Sequence, residues 1–473
     1  MNISQELAES IRAAGQEHLL RFWNDITEDE QRAFAAQLEK IDFSILPGLI
    51  RDYVLNRPRT AIPDDLGPAP YFPAVPRNDA ERSLYARAEK EGRELLRAGR
   101  VCCLTVAGGQ GTRLGFDGPK GTYPIGPVTG RTLFEYFAQN IIRAGWKFGH
   151  PLSWYIMTSS LNHAATTDFF RKNGWFGLKE EQVFFFTQGT MPAFGYDGKL
   201  LLASKNALSL SPDGHGGTLL ALRKSGALDR MKKEGTDIIS YFQVDNPLVH
   251  VVDPLFIGMH ALEGAEMSAV MLSKTGPFEK LGNFCVSGGR LQIIEYSDLP
   301  QELAEKRNAD GSLAFVAGSP AIHLIRRDFV EQLTASGSLR LPWHRADKKI
   351  PHIDDAGNPV VPAEPNGVKL ESFIFVALPL AKKTMVMEFD RREVFAPTKN
   401  KTGVDSVESC RQMLVDRDAA RLEGAGVKIP RKADGTPDAL IEISPLEVLD
   451  AEDARTLAAS RNIVIGPGAE VVL

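Results

Sequence analysis

Residues 101–121 read V-C-C-L-T-V-A-G-G-Q-G-T-R-L-G-F-D-G-P-K-G, and their reading decides the fold. Val101 to Ala107 form a short apolar run with no charge, the pattern of a strand buried on both faces. A turn follows, G-G-Q-G-T-R-L-G over residues 108–115, and then Pro119, Lys120 and Gly121. Such a turn at the carboxyl edge of a parallel sheet is where ligands bind. Gly108, Gly109 and Gly111, with Thr112, let backbone N–H groups approach phosphate oxygens, while Arg113 and Lys120 add charge that backbone dipoles alone do not supply. The spacing excludes two common phosphate loops. A Walker loop needs Lys-Ser or Lys-Thr directly after its last glycine, and a dinucleotide fingerprint needs glycine where Leu114 stands.

Downstream of this turn, strands and helices alternate. A helix is expected from about Thr132 to Ala144, a strand from Leu152 to Thr158, a helix from Asn162 to Asn173, and strands at Val183–Phe186 and Ile238–Val244, the last ending at Asp245. That rhythm belongs to a mostly parallel sheet covered by helices. Asn283–Val286 and Leu291–Glu295, joined around Gly288 and Gly289, read as an inserted hairpin.

Upstream the texture is helical. Thr27 and Glu30 stand at capping-box spacing before Phe34, Leu38 and Ile41, and a further helix is expected from Asn78 to Gly99. Prolines crowd the segment between Pro58 and Pro76, which reads as an extended connection. The expected organisation is therefore an N-terminal helical region over 1–98, a catalytic α/β domain over 99–404, and a small C-terminal unit over 405–473 with a helix and a strand-like run at Ile463–Leu473.

Composition excludes several classes. A formal net charge of -5 and pI near 6.1 give no global attraction for nucleic acid, and no local basic patch replaces it. No run approaches a membrane span, and the amphipathic, acidic stretch from Met1 to Ala14 is unlike a secretory leader, so the cytoplasm is the expected compartment. Cys102, Cys103, Cys285 and Cys410 lack metal-ligand spacing and read as small buried hydrophobes.

The turn, with P-K-G close behind it, resembles the signature of the UDP-sugar pyrophosphorylases, particularly the eukaryotic-type UDP-N-acetylglucosamine pyrophosphorylases. The likeness continues through Gln188, Met191-Pro192-Ala193, P-D-G-H-G-G at 212–217, V-D-N-P at 244–247, E-Y-S at 295–297, P-N-G-V-K at 365–369 and F-A-P-T-K-N at 395–400. It is weakest in the tail.

The resemblance implies a central Rossmann-like nucleotidyltransferase domain acting on UTP and a sugar 1-phosphate, with pyrophosphate as the second product. It implies that Gln188, Gly214 and His215 read the uracil ring and that Glu295, Asn366 and Glu371 face the sugar. Lys369 would stand with them or brace Glu371. Lys399 would stabilise charge at the reacting phosphates. Asp245, at the end of an apolar strand, is placed to hold Mg²⁺ against the triphosphate. Two positions depart from the N-acetylglucosamine pattern. His215 replaces a usual Asn, and Ile322 stands where an amide side chain is usual near the sugar, a pair that leans toward glucose 1-phosphate or broad specificity. A catalytically inactive UTP-binding relative would have lost Arg113, Lys120, Asp245 or Lys399, and all are present.

Overall fold

Two compact units divide the chain: Met1–Ala61 with Gln188–Gly217 and Arg340–Val376, and Ile62–Thr187 with Thr218–Leu339 and Ala377–Leu473. The structure is a computed structural model that describes residues 3–57, 62–339 and 341–473. Met1 and Pro58, which bound two stretches read from the sequence, lie outside the described residues.

The larger unit is built on a mixed sheet of eleven strands among the described residues. Its parallel part runs through β1 (Val101–Val106), β2 (Trp154–Thr158), β3 (Val183–Thr187) and β4 (Ile238–Gln243), in the spatial order β4-β1-β2-β3. These are the strands expected from the alternating pattern. The sheet is not parallel throughout. Beyond β4 the order continues with β5 (Met267–Ser273) and β6 (His323–Arg326), and β6 lies antiparallel between β4 and β5. Gly282–Ser287 and Arg290–Ile294 form the expected hairpin. Its turn residues Gly288 and Gly289 have φ of 55° and 72°, which a tight two-residue connection requires at both positions.

Helices cover this sheet where the sequence caps them. Helix α1 (Asp79–Arg97) starts where the Asn78 side chain accepts the Glu81 N–H at 2.9 Å. Helix α2 (Leu133–Phe148) is capped by Thr132 and stops at Gly149, whose φ is 78°. It therefore runs one turn past the expected end at Ala144, because Gly145 stays within the helix and the left-handed stop comes only at Gly149. Helix α3 (Pro254–Leu262) packs against α1 through glycines: a Cβ on Gly92 would collide with the Pro254 carbonyl, and one on Gly258 with the Ala88 carbonyl. That contact is why packing shows no break at residue 98. The helix expected to end the N-terminal region is part of the larger unit.

The C-terminal segment has its own apolar cluster, including Leu422, Ile441, Ile443 and Leu457, between α4 (Val407–Gly424), α5 (Ala451–Ser460) and a two-stranded parallel pair, Ala439–Glu442 with Ala469–Val472. The strand expected over Ile463–Leu473 is thus limited to its last residues. Gly466-Pro467-Gly468 breaks the run, since proline offers no N–H to a ladder and Gly468 takes a φ of 70°.

In the smaller unit, helices Gln5–Ala13 and Glu28–Leu38 accompany a three-stranded antiparallel sheet ordered His344–Lys348, Gly367–Glu371, Phe194–Gly195. The Thr27–Glu30 capping box is formed. Phe34, Leu38, Phe194, Val368 and Leu370 meet in its core. Ile41 lies past the helix end and packs against the same cluster.

Candidate active site

The glycine-rich turn leaves β1 and doubles back on itself. Gly111 N–H donates to the Gly118 carbonyl at 2.8 Å and Lys120 N–H to the Gly109 carbonyl at 3.1 Å. The buried Asn162 amide donates to the carbonyls of Ala107 and Gly109, at 2.9 and 3.2 Å, so the turn is held from the β2 side as well. A Cβ on Gly111 would strike Phe116, and one on Gly121 would overlap the Phe134 ring, whereas the space around Gly109 is open. Close packing sets two of these glycines. At Gly109 the backbone is accessible to a ligand.

Lys120 is buried, with 6% of its surface exposed, and its ammonium lies 3.5 Å from Asp245 Oδ2 and 3.4 Å from the Thr398 carbonyl. Three segments far apart in sequence therefore meet around one cation. Asp245 and Asn246 fasten them. Thr398 N–H donates to the Asp245 carbonyl at 2.8 Å. The Asn246 amide donates to the Val394 carbonyl at 2.7 Å and accepts from Ala396 N–H at 2.9 Å. Lys399 follows directly, about one third exposed, with Asp405 Oδ2 at 3.3 Å. Arg113 is exposed and has no ion-pair partner among the described residues.

The smaller unit gathers its own residues. Gln188 is buried, and the strand Thr190–Pro192 that follows pairs antiparallel with Leu210–Pro212, bringing Gly189 to the Asp213 N–H at 3.1 Å. Gly214 has a φ of 86° and lies against the Ser372 backbone, which leaves no room for a Cβ. His215 stacks on Phe373 at 5.2 Å and 25°, and its Nδ1 accepts the Ile374 N–H at 3.2 Å. A ring nitrogen that accepts an N–H carries no proton, so in the neutral ring the proton sits on Nε2 and that atom is a donor.

The expected sugar residues are less uniform. Glu295, at the end of the hairpin, is mostly covered, and burial, reinforced by the nearby Asp298 charge, raises its carboxyl above the ordinary range. The Asn366 amide is engaged with Ile350, accepting its N–H at 2.7 Å and donating to its carbonyl at 3.1 Å. Lys369 and Glu371 lie on the strand Gly367–Glu371, half-buried. Ile322 is 6% exposed and packs in the sheet core with Val270, Leu324 and Val394, lining a small internal cavity. Among the described residues no three His, Cys, Asp or Glu side chains cluster as metal ligands. Asn162, Asn246 and the Thr398 carbonyl were not singled out from sequence. Asn246 and Thr398 had a signal, their places in V-D-N-P and F-A-P-T-K-N, and Asn162 had none.

A phosphate-approachable turn after the first strand of a parallel array, with lysine and carboxylate fixed beside it, suits the binding of a nucleoside triphosphate. The family model described as UTP--glucose-1-phosphate uridylyltransferase matches residues 74–441, and the chain belongs to that family. It is 35% identical over 475 residues, 94% of this chain and 93% of the relative, to UDP-N-acetylhexosamine pyrophosphorylase-like protein 1 of Homo sapiens. It is 33% identical over 450 residues, 91% of this chain and 92% of the relative, to UDP-N-acetylglucosamine pyrophosphorylase of Saccharomyces cerevisiae. The crystal structure of the Trypanosoma brucei uridine diphosphate N-acetylglucosamine pyrophosphorylase superposes with a TM-score of 0.82 at 25% identity, covering 100% of this chain and 98% of that one.

Proposed function

We propose that the protein joins UTP to N-acetylglucosamine 1-phosphate, releasing pyrophosphate and forming UDP-N-acetylglucosamine. The observation that carries this is the meeting of the glycine-rich turn, Asp245 and the Thr398–Lys399 segment around Lys120. Uridylyl transfer needs the sugar phosphate oxygen to attack the α-phosphorus in line as pyrophosphate leaves. The protein's work is then to position the groups and neutralise charge, with no covalent nucleophile. In this reading backbone N–H groups of the turn hold phosphate oxygens, and Arg113, Lys120 and Lys399 oppose the charge that develops on the leaving group. Gln188, Gly214 and His215 read the base, where an Nε2–H donor at position 215 can take the part of an amide N–H. Glu295, Lys369 and Glu371 are the sugar-facing candidates. Asn366, whose amide is engaged with Ile350, would have to exchange those bonds to join them.

Mg²⁺ fits this donor set. It binds through one or two carboxylates and completes its shell with substrate phosphates and water, so Asp245 alone, with its side chain 16% exposed, suits it better than a full protein cage would. Bound there with UTP, the ion would neutralise phosphate charge. Asp245→Asn keeps the shape and removes the charge, so it should raise the Mg²⁺ concentration needed for half-maximal activity by about tenfold or more. An unchanged magnesium titration would leave Asp245 a purely structural aspartate.

For the sugar, the names of the relatives support the acetamido substrate, whereas His215 had leaned toward glucose 1-phosphate. Core packing of Ile322 removes the argument for a loose apolar wall. A pyrophosphate-release assay with UTP and a panel of sugar 1-phosphates tests the choice through kcat/KM. N-acetylglucosamine 1-phosphate should lead, and a higher value for glucose 1-phosphate would shift the assignment to the alternative. We propose a cytoplasmic setting, in keeping with four cysteines that are all free and buried. Among the described residues no helix is long and apolar enough to cross a membrane.

A further inference from the structure

Glu442 is fully buried, and its carboxylate is saturated by residues 128–131 and by Tyr136 of α2. Oε2 accepts the N–H groups of Val128 at 2.9 Å and Thr129 at 2.8 Å. Oε1 accepts from Thr129 Oγ1 at 2.6 Å, Arg131 Nη1 at 2.6 Å and the Tyr136 hydroxyl at 3.0 Å. A Cβ on Gly126 would stand 2.7 Å from the Arg131 backbone nitrogen and 2.9 Å from Oε1, so glycine lets the loop close beneath the carboxylate. Four of these bonds tie the C-terminal strand Ala439–Glu442 to the segment between Lys120 and α2, and the Tyr136 bond ties it to α2 itself.

That segment is a closed hairpin. Ile125 and Gly126 both donate to the Arg131 carbonyl, at 3.0 and 2.9 Å, and Pro124 bridges Thr132. At its base Leu133 N–H donates to the Tyr123 carbonyl at 3.2 Å, and Tyr123 N–H to the Lys120 carbonyl at 3.0 Å. Lys120 thus sits in the first turn below a hairpin whose tip Glu442 grips. The same C-terminal segment holds the second lysine's loop. From α4, Val407 N–H donates to the Asn400 carbonyl at 3.3 Å, Cys410 Sγ lies 3.1 Å from the Ala396 carbonyl, and Arg411 donates to the Pro124 and Ile125 carbonyls.

We propose that Glu442 is a positioning residue for uridylyl transfer, fixing the 124–132 hairpin and through it the ammonium of Lys120. The proposal rests on the uridylyl-transfer reading above. A displacement of about 1 Å in a positioned group can cost on the order of a hundredfold in rate. Glu442→Gln has one oxygen to accept where two were used and turns an amide N–H toward donors. It should lower kcat by about tenfold to a hundredfold while the KM values for UTP and the sugar phosphate change by less than about threefold.

Loss of stability alone would imitate a role, so the comparison is with Leu457→Ala, which opens a cavity in the C-terminal core without touching the hairpin. Assayed at a temperature where both are folded, Leu457→Ala should keep a wild-type kcat despite a lowered Tm. Amide hydrogen exchange over residues 121–131 should quicken in Glu442→Gln and not in Leu457→Ala. Thr129→Val, which removes one bond from the loop side, should show a smaller fall in kcat of about twofold to fivefold. The proposal is overturned if Glu442→Gln retains wild-type kcat, or if both variants lose kcat in proportion to their loss of Tm. A wild-type protein that forms no UDP-sugar would defeat the functional reading instead, and the exchange comparison would still report whether Glu442 holds the hairpin.

Discussion

Lys120→Ala and Lys399→Ala should each lower uridylyl-transfer turnover by about 10²-fold or more with the fold intact. On the proposed reading the two lysines would act on the phosphates by different routes. Lys120 is buried and already oriented by Asp245 and the Thr398 carbonyl, so its charge is in place before substrate arrives. Preorganised charge of this kind stabilises a transition state without reorganisation at the moment of reaction. Lys399 is paired with Asp405 and more exposed. It must exchange that partner for phosphate, and its loss should therefore fall on kcat with little change in the apparent affinity for sugar phosphate. Pyrophosphate release, measured beside a thermal melt for each variant, checks both. Near-normal turnover in Lys399→Ala would remove it from the catalytic set.

The largest structural effect is expected far from any substrate. Alanine is ordinarily better than glycine inside a helix by about 1 kcal/mol. At Gly258 the sign should reverse. Its missing side chain is what lets α3 lie against the Ala88 carbonyl of α1, and Gly92 does the same opposite Pro254. A methyl group at that contact meets backbone, which cannot turn aside as a flexible side chain can. Gly258→Ala should therefore destabilise by about 3 kcal/mol, at the upper end of overpacking costs, read as a lowered urea midpoint. A midpoint equal to or above wild type would mean the two helices separate at little cost.

Local chemistry made much of this legible. The apolar runs at β1 and β4, the caps Thr27, Asn78 and Thr132, and the double glycine at 288–289 each act within a few residues, so the elements they specify formed where expected. What failed to show is long-range. Nothing near residues 323–326 announces that the strand enters the sheet antiparallel, and nothing near Gly92 names its partner on α3. The site divides in the same way. Its glycines, lysines and Asp245 stand out because their residue types suit phosphate chemistry. Asn162 and Asn246 act by fastening the backbone of distant segments, Asn162 donating to two carbonyls and Asn246 donating to one and accepting an N–H, a duty no short motif announces. Glu442, in a tail with little motif character, gave no sequence signal at all. Ile322 shows the opposite case: its position suggested a sugar contact, and the structure surrounds it with core.

The most direct test of uridylyl transfer is the product balance when the purified protein is given UTP, Mg²⁺ and N-acetylglucosamine 1-phosphate. The account predicts one pyrophosphate for every UDP-N-acetylglucosamine formed, with neither product appearing when the sugar phosphate is left out. Orthophosphate or UMP released from UTP without sugar phosphate, or no UDP-sugar from any member of the panel, would contradict it.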